Sequence, residues 1–544
     1  MKTNSRSPFD VCIVGSGLYG STLACILAKH GLRTLILEPG RHPRFSLGEA
    51  LLPQSAIWPF MLSERYGIPE IGHLSHADRI VDHVTPSCGL KHSIGFAHHT
   101  EDQPLTANRI QQLVPPHLPF YSESHLYREE VDHFMVKAAV EYGAELHEDC
   151  AVEAVEFKDD GVSISTPLGE FQSQYYVDAS GRGSKLVESL GLRGNAPEAE
   201  HHSRAIFAHV KGLRPMDEIM ASPSQGRRLH DGTFHHMFEG GWMWVIPFDN
   251  FDRSTSKLAS VGLMLDPRIH PERDGVDAET EFHEIVARFP DMAKHMEGIQ
   301  TVRPFVGTGR LQYAASTSVG DRFLLSPSTY GFVDALYSNG LVHTFESVHF
   351  AAHHLLSAFG AMEGDVARGD LSQEAFAAVD GLHRRQWAGA DQMITGAYQA
   401  MGSSDTWHAW TQYWLAQVLF GDLWLQRACF KFFASGNVAE FDAFLNEERP
   451  GADAPLSVEK QTLLDDLCAL MKAGSADVAN QMFARIRQES WLPRHVFDWG
   501  NPQAHNVDFS RPEVVGPLLE WGFTASPEAL REGLFDFPLP PAMA

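Results

Sequence analysis

Basic residues are scarce in this chain. Of 544 residues, 43 are Lys or Arg and 69 are Asp or Glu, a formal net charge of −26. Binding to nucleic acid needs a basic surface, so that class of partner is argued against. Docking on an anionic membrane is disfavoured for the same reason. Cysteine is sparse too: Cys12, Cys25, Cys88, Cys150, Cys429 and Cys468 show no CxxC spacing. This leaves no sign of a disulfide framework or a zinc ribbon and fits a reducing compartment. Cys12 and Cys25 lie in apolar runs and read as core. No apolar run approaches the roughly 18 residues a membrane span needs, and no signal-peptide pattern precedes the first strand. A cytoplasmic location is therefore expected. The histidine pairs at 98–99, 201–202 and 235–236 lack HxxxH or HExxH spacing, so no metal site is expected.

What is present is an ordinary globular composition, 44% hydrophobic and 21% charged. The length suits about two to four domains. Residues 9–38 read as a β-α-β unit. Phe9 to Val14 is a buried strand and Gly15-Ser16-Gly17-Leu18-Tyr19-Gly20 is a GxGxxG turn. Ser21 to His30 is a helix closed by Gly31, and Arg33 to Leu37 is a second strand ending at Glu38. Gly15 permits the turn, Gly17 lets a pyrophosphate approach the backbone, and Gly20 lets helix and strand pack closely. The helix N-terminus offers N–H groups to phosphates. Glu38 is placed to accept from ribose hydroxyls and to repel a 2′-phosphate. The polar loop from Pro43 to Pro53 then leads to a short helix rather than another β-α unit, which favours FAD over NAD.

Further along, Tyr127-Arg128-Glu129 precedes a helix over Val131 to Glu141. Strands at 152–157 and 162–165 flank Asp159-Asp160-Gly161, a hairpin signal. Tyr175 to Asp178 is a buried strand entering a small-residue turn, and residues 203–265 read as strands of a second sheet. In Gly241-Trp242-Met243-Trp244-Val245-Ile246-Pro247, alternation places both indoles on one face and Pro247 ends the ladder. Residues 280–298 look helical, Gly320 to Leu325 is a strand, 331–340 is a loop and 341–359 a helix. From about 375 onward the pattern is almost all helical, with breaks near 402–405, 435–437 and 449–455.

These segments occur in the order seen in FAD monooxygenases of the p-hydroxybenzoate hydroxylase fold. Within that group the chain resembles the flavin-dependent halogenases. Trp242, Trp244, Ile246 and Pro247 match their WxWxIP motif. Gly48-Glu49-Ala50-Leu51-Leu52-Pro53 looks like their GES-x-x-P loop, with Ala50 where Ser is common. Lys91-His92-Ser93-Ile94-Gly95-Phe96 resembles the segment bearing their essential lysine. Phe332 to Gly340 resembles their Phe-Pro-Ser-Gly loop, with Ala335 at the Pro position, and Ser328 stands where a ribityl-binding Asp is common.

The resemblance implies an α/β protein: a Rossmann-like FAD-binding domain, a second β-sheet substrate domain and a C-terminal helical region. The FAD core is expected to be discontinuous within 1–360 (8–90, 122–195 and 300–360), with substrate-domain insertions at 91–121 and 196–299 and a helical domain over 361–544. It also implies cofactor contacts from Gly15, Gly17, Leu18, Tyr19, Gly20, Glu38, Arg44, Gly48, Glu49, Ala50, Arg128, Asp178, Ser328 and Phe332. Chloride or bromide is expected at Ser338, Asn339 and Gly340. A separate flavin reductase supplies reduced FAD, which with O2 and halide yields hypohalous acid. That species reaches Lys91, where it is held by hydrogen bonding or as an N-haloamine beside a small aromatic substrate. The Trp pair is expected to wall the flavin from that substrate. Glu49, Asp334 and Glu346 are candidate bases only by their closeness to the motifs, and each reads more readily as structural. A free phenol is favoured over a carrier-bound thioester, because an acidic surface repels an acidic carrier unless Arg227-Arg228 or Arg384-Arg385 offset it. A homodimer is compatible with the sequence. The alternative is an FAD monooxygenase or dehydrogenase of the same fold.

Overall fold

The computed structural model describes residues 8–220, 227–445 and 456–538. In Phe9–Val14 the apolar run Val11 to Val14 is buried on both faces, with Asp10 only partly buried. The strand lies between Gly169–Asp178 and Thr34–Leu37 in an eight-stranded sheet. Both pairings are parallel, and Val14 sits level with Leu37 and with Asp178. The carboxyl ends of the strands therefore share one edge, where open α/β sheets bind ligands. The hairpin expected around Asp160-Gly161 forms from Ala154–Lys158 and Gly161–Thr166. Cys12 and Cys25 are core.

Several boundaries move for identifiable reasons. The first helix spans Leu18–Lys29, because Gly17 itself is the N-cap. The helix after Tyr127 begins at Arg128. The loop helix is longer than expected, Pro53–Tyr66, with Pro53 in the first turn where its missing N–H costs nothing. The expected helix over 280–298 is two pieces, Ala278–Ala287 and Pro290–His295, because Pro290 forces Phe289 to an extended conformation. The C-terminal region is mostly helical, with Ala377–Ala400 and the 32-residue Ser404–Ser435 meeting at the expected break. The expected break at 449–455 lies outside the described residues.

The second sheet has nine strands, and Gly241–Pro247 is central, between Thr233–Phe238 and Ala259–Leu265. Ile94–His98 and Ile110–Val114 extend it. Asn506–Asp508, from the otherwise helical tail, adds a strand beside Ile110–Val114. Alternation along Gly241–Pro247 divides two cores. Trp242, Trp244 and Ile246 join the main core, while Met243 and Val245 face a smaller one. Gly262 lies beside Trp244 in the register, and a Cβ there would meet the indole at 2.2 Å. The absent side chain lets the ring lie across the neighbouring strand, where its Nε1 donates to Ser260 Oγ at 3.1 Å.

Gly262→Ala is expected to destabilise the protein by about 1–3 kcal/mol through overpacking and to shift tryptophan fluorescence. Denaturant unfolding checks it; a change within 0.5 kcal/mol, on the order of an ordinary surface substitution, would contradict this packing.

Candidate functional site

The glycine turn, the 44–50 loop, the Trp face and the 327–344 segment enclose a cavity of about 530 Å³ between the two sheets. The turn is built by exclusion. Gly15 has φ +95°, and a Cβ on it would lie 2.4 Å from Ala179 O. A Cβ on Gly20 would lie 2.0 Å from Gly15 O. Gly17 differs: a Cβ there meets nothing nearer than 3.9 Å and would only fill the approach beside Arg44 and Asp132. Gly17, Leu18, Tyr19 and Gly20 line the cavity, so the N-terminal end of a buried helix faces it.

Glu38, at the end of Thr34–Leu37, is 3% exposed. Its Oε2 accepts from Ser16 N (2.9 Å), Ser16 Oγ (2.6 Å) and Arg44 Nη2 (3.1 Å), and its Oε1 from Gly40 N (2.9 Å). Burial opposes ionisation, yet these donors together hold its carboxyl below the usual range. Oε1, with one protein donor, retains acceptor capacity for a ribose hydroxyl. Arg128 is bidentate to Asp132 (2.7 and 3.0 Å) and donates through Nη1 to Leu47 O (2.7 Å) and Gly48 O (3.0 Å). It thereby holds the 47–50 loop, whose Gly48 has φ +91°. Glu49 is fixed by His209 Nε2 at 2.7 Å. Arg44, Gly48, Glu49, Ala50 and Arg128 all line the cavity.

Asp178 does not line it. Its Oδ1 accepts from Ser180 N (3.0 Å) and Oγ (2.5 Å) and its Oδ2 from Ser184 Oγ (2.7 Å), which sets the Ser180-Gly181 turn that does. Trp242, Trp244 and Ile246 face the cavity, as do Ser328, Phe332, Ser338, Asn339 and Gly340. Pro247 does not; its carbonyl accepts from His125 Nδ1 at 2.7 Å. Gly340 opens the 19-residue helix Gly340–Ala358, so that helix's first turn also faces the cavity. Asp334 anchors the loop: its Oδ2 meets His201 Nε2 (3.1 Å), Ser203 Oγ (2.7 Å) and Tyr398 Oη (3.2 Å). Ala335 has φ −84°, not far from the roughly −65° that a proline imposes. Tyr337 and Ser338 are left-handed, at φ +70° and +54°. Trp410 Nε1 donates to Tyr337 Oη at 3.0 Å, and Trp414 stacks on its ring.

Lys91 lines neither the 530 Å³ cavity nor a second, apolar one. It is 1% exposed. Its Nζ donates to the carbonyl of Leu51, next to the cavity-lining Ala50, and lies 3.3 Å from Glu123 Oε2. Glu123 lines the second cavity. Burial lowers the Lys91 pKa against the pull of Glu123, and burial raises that of Glu123 to about 7 against the pull of Lys91. Phe96 is core, stacked on His235.

The three carboxylates named from sequence are engaged elsewhere: Glu49 by His209, Asp334 by its trio of donors, Glu346 by Gln386 at 2.8 Å. The carboxylate at the lysine is Glu123, which sequence reasoning missed. Ser122-Glu123-Ser124-His125 carries no motif, and its partners are distant in the chain.

A family model described as FAD dependent oxidoreductase matches residues 10–341. Monodechloroaminopyrrolnitrin halogenase PrnC of Pseudomonas fluorescens is 35% identical over 97% of this chain and 94% of its own length. Tetracycline 7-halogenase of Kitasatospora aureofaciens is 33% identical, covering 94% of this chain and 92% of its own. The crystal structure of halogenase PltM in complex with phloroglucinol and FAD superposes with a TM-score of 0.84 at 31% identity, covering 92% of this chain and 99% of that one. The chain belongs to the flavin-dependent halogenase family. FAD is its cofactor, and the monooxygenase or dehydrogenase alternative is not favoured. The site fits FAD on its own evidence: the open approach at Gly17 and the helix N-terminus suit a pyrophosphate, and the larger cavity extends from that turn to the Trp face. Among the described residues, no helix of this halogenase is long and apolar enough to cross a membrane.

Gly17→Val is expected to weaken FAD binding at least about tenfold, or 1.4 kcal/mol, while leaving the unfolding midpoint near that of wild type. Flavin fluorescence titration measures this; an unchanged Kd would remove the cofactor from the Gly17 turn.

Proposed function

We propose that this halogenase places a halogen on a small, electron-rich arene, a free phenol in the favoured case, with Lys91 delivering the halogen and Glu123 taking the ring proton. The observation that carries this reading is the buried Lys91–Glu123 pair at 3.3 Å, with Glu123 on the wall of the apolar cavity. Gly15, Gly17, Leu18, Tyr19, Gly20, Glu38, Arg44, Gly48, Glu49, Ala50, Arg128, Asp178, Ser328 and Phe332 hold or shape the flavin site. Ser338, Asn339 and Gly340 hold chloride or bromide at the N-terminus of Gly340–Ala358. Reduced FAD, delivered by a separate reductase, supplies hypohalous acid from O2 and halide. Trp242, Trp244 and Ile246 wall the flavin cavity, and Pro247 ends the strand that carries them.

The steps at Lys91 balance. The Lys91 ammonium hydrogen-bonds the oxygen of hypohalous acid. The ring attacks the halogen, the halogen–oxygen bond breaks, and the oxygen leaves as water with a proton from Lys91. The ring C–H proton then passes to Glu123 and returns from Glu123 to the Lys91 amine. The sum is arene plus hypohalous acid giving haloarene plus water. A free substrate is supported by the net charge of −26, which repels an acidic carrier. The relatives' printed names support aromatic substrates: a tetracycline, an aminopyrrolnitrin and, in complex, phloroglucinol.

Lys91→Ala is expected to abolish haloarene formation while hypohalous acid is still released to a solution trap. Undiminished haloarene on mass spectrometry would overturn the role of Lys91. Glu123→Gln is expected to slow turnover about 10²-fold and to expose a primary isotope effect with ring-deuterated phenol, because proton removal becomes limiting. A slowed variant with no isotope effect would make Glu123 a partner of Lys91 only. Glu123 acts ionised, so wild-type kcat is expected to rise as pH rises through about 7 and to lose that limb in Glu123→Gln. Burial, opposed by Lys91, sets this limb, and Asp422 and Tyr121 are the other titratable groups that face Glu123.

A further inference from the structure

The second cavity measures about 60 Å³ and is walled by side chains such as Ile94, Leu113, Trp414, Leu419 and Leu519. Most of this wall comes from Ser404–Ser435 and Pro512–Thr524, helices that no motif reached. Against this apolar lining stand two carboxyl groups, Glu123 and Asp422. Asp422 lies mid-helix at 4% exposure, and its Oδ1 has no hydrogen-bond partner. Gln54 bonds the same carboxyl. Asp178 and Asp334, by contrast, are satisfied, the first by Ser180 and Ser184 and the second by His201, Ser203 and Tyr398. The Glu123 carboxyl, like Asp422 Oδ1, is without a hydrogen-bond partner apart from its ion pair with Lys91, so two open carboxyl groups face this apolar wall, where a ligand's polar atoms can meet them.

Burial, and then the nearby Glu123 charge, push the Asp422 carboxyl well above its ordinary value, which favours its protonated form. A neutral carboxyl both donates and accepts, matching a hydroxyl or an amino group. The apolar wall disfavours bringing in a further, unpaired charge.

We propose that this cavity receives the arene and that Asp422 determines its specificity, hydrogen-bonding a hydroxyl or amino substituent on an uncharged ring. This rests on the reading that Lys91 delivers the halogen, because Glu123 joins Lys91 to this cavity. The space is smaller than the roughly 150 Å³ that holds benzene in a protein core, so the ring enters by displacing side chains of the leucine wall.

Equilibrium binding to the full-length protein, without flavin or halide, tests the proposal with resorcinol and 1,3-dimethoxybenzene as probes. Wild type is expected to bind resorcinol at least tenfold tighter than its dimethyl ether. Asp422→Leu loses that preference, and Asp422→Asn, which keeps a donor and an acceptor, retains it. Leu419→Trp weakens both probes at least tenfold with FAD affinity intact. Leu519→Trp, on the partly buried side of the wall, repeats the test should Leu419→Trp fail to fold. Wild-type resorcinol affinity in a folded cavity-filling variant would overturn the cavity assignment. An unchanged resorcinol-to-ether ratio in Asp422→Leu would overturn the role of Asp422. Because no turnover is read, failure of the Lys91 reading shows separately, as haloarene formed by Lys91→Ala.

Discussion

A lysine ammonium buried to 1% exposure needs a counter-charge. Stripping water from such a cation costs several kcal/mol even after the protein relaxes, and Glu123 at 3.3 Å is the group that offsets it. The backbone holds the pair in register. Gly89–Leu90 and Ser124–His125 form a short antiparallel ladder, and Lys91 N donates to Glu123 O at 3.3 Å. The same ladder is tied to the 48–52 loop, where Leu51 N donates to Ser124 O at 3.1 Å and Leu126 N to Glu49 O at 2.6 Å. Three segments of chain thus meet at one ion pair. One side of the junction ends at Gly48, Glu49 and Ala50 on the flavin cavity, and the other at Glu123 on the apolar cavity. Buried ion pairs contribute little net stability. In this one each partner's pKa is displaced toward the other's, Lys91 downward and Glu123 upward, by burial.

The C-terminal helices take part in this arrangement from the far side. Left-handed conformations at Tyr337 and Ser338 cost about 1–3 kcal/mol each, and they persist because the surroundings hold them. Trp410 bonds the Tyr337 hydroxyl and Trp414 stacks on its ring, both from Ser404–Ser435. That helix presents Asp422 to the second cavity about two turns beyond Trp414. A single rigid element therefore supports the loop beside the flavin cavity and shapes the pocket beyond the lysine. Gly396 admits the Trp410 ring, since a Cβ there would meet it at 2.1 Å, which fixes Ala377–Ala400 against the same helix.

Local patterns carried much of the fold. The glycine turn, the buried strand before it and the hairpin at Asp160-Gly161 were legible because each is dictated by contacts close in the chain. The alternation in Trp242-Met243-Trp244 named the correct face, since side-chain direction in a strand has a fixed period. Helix ends were less legible: Gly17 capping and Pro290 moved boundaries that periodicity alone could not place.

The sequence by itself determined that a dinucleotide site opens at Gly15 to Gly20, that the Trp pair shares one face, and that Lys91 deserved attention. Tertiary structure alone decided what Lys91 touches. Glu123 and Asp422 are ordinary acidic residues in unremarkable local contexts, and they come to line one cavity only when Gly89–Leu90 and Ser124–His125 pair and a distant helix packs over them. Charge burial is a property of assembled surfaces rather than of any stretch of chain. No local pattern could have shown which of 69 acidic residues would lose its water.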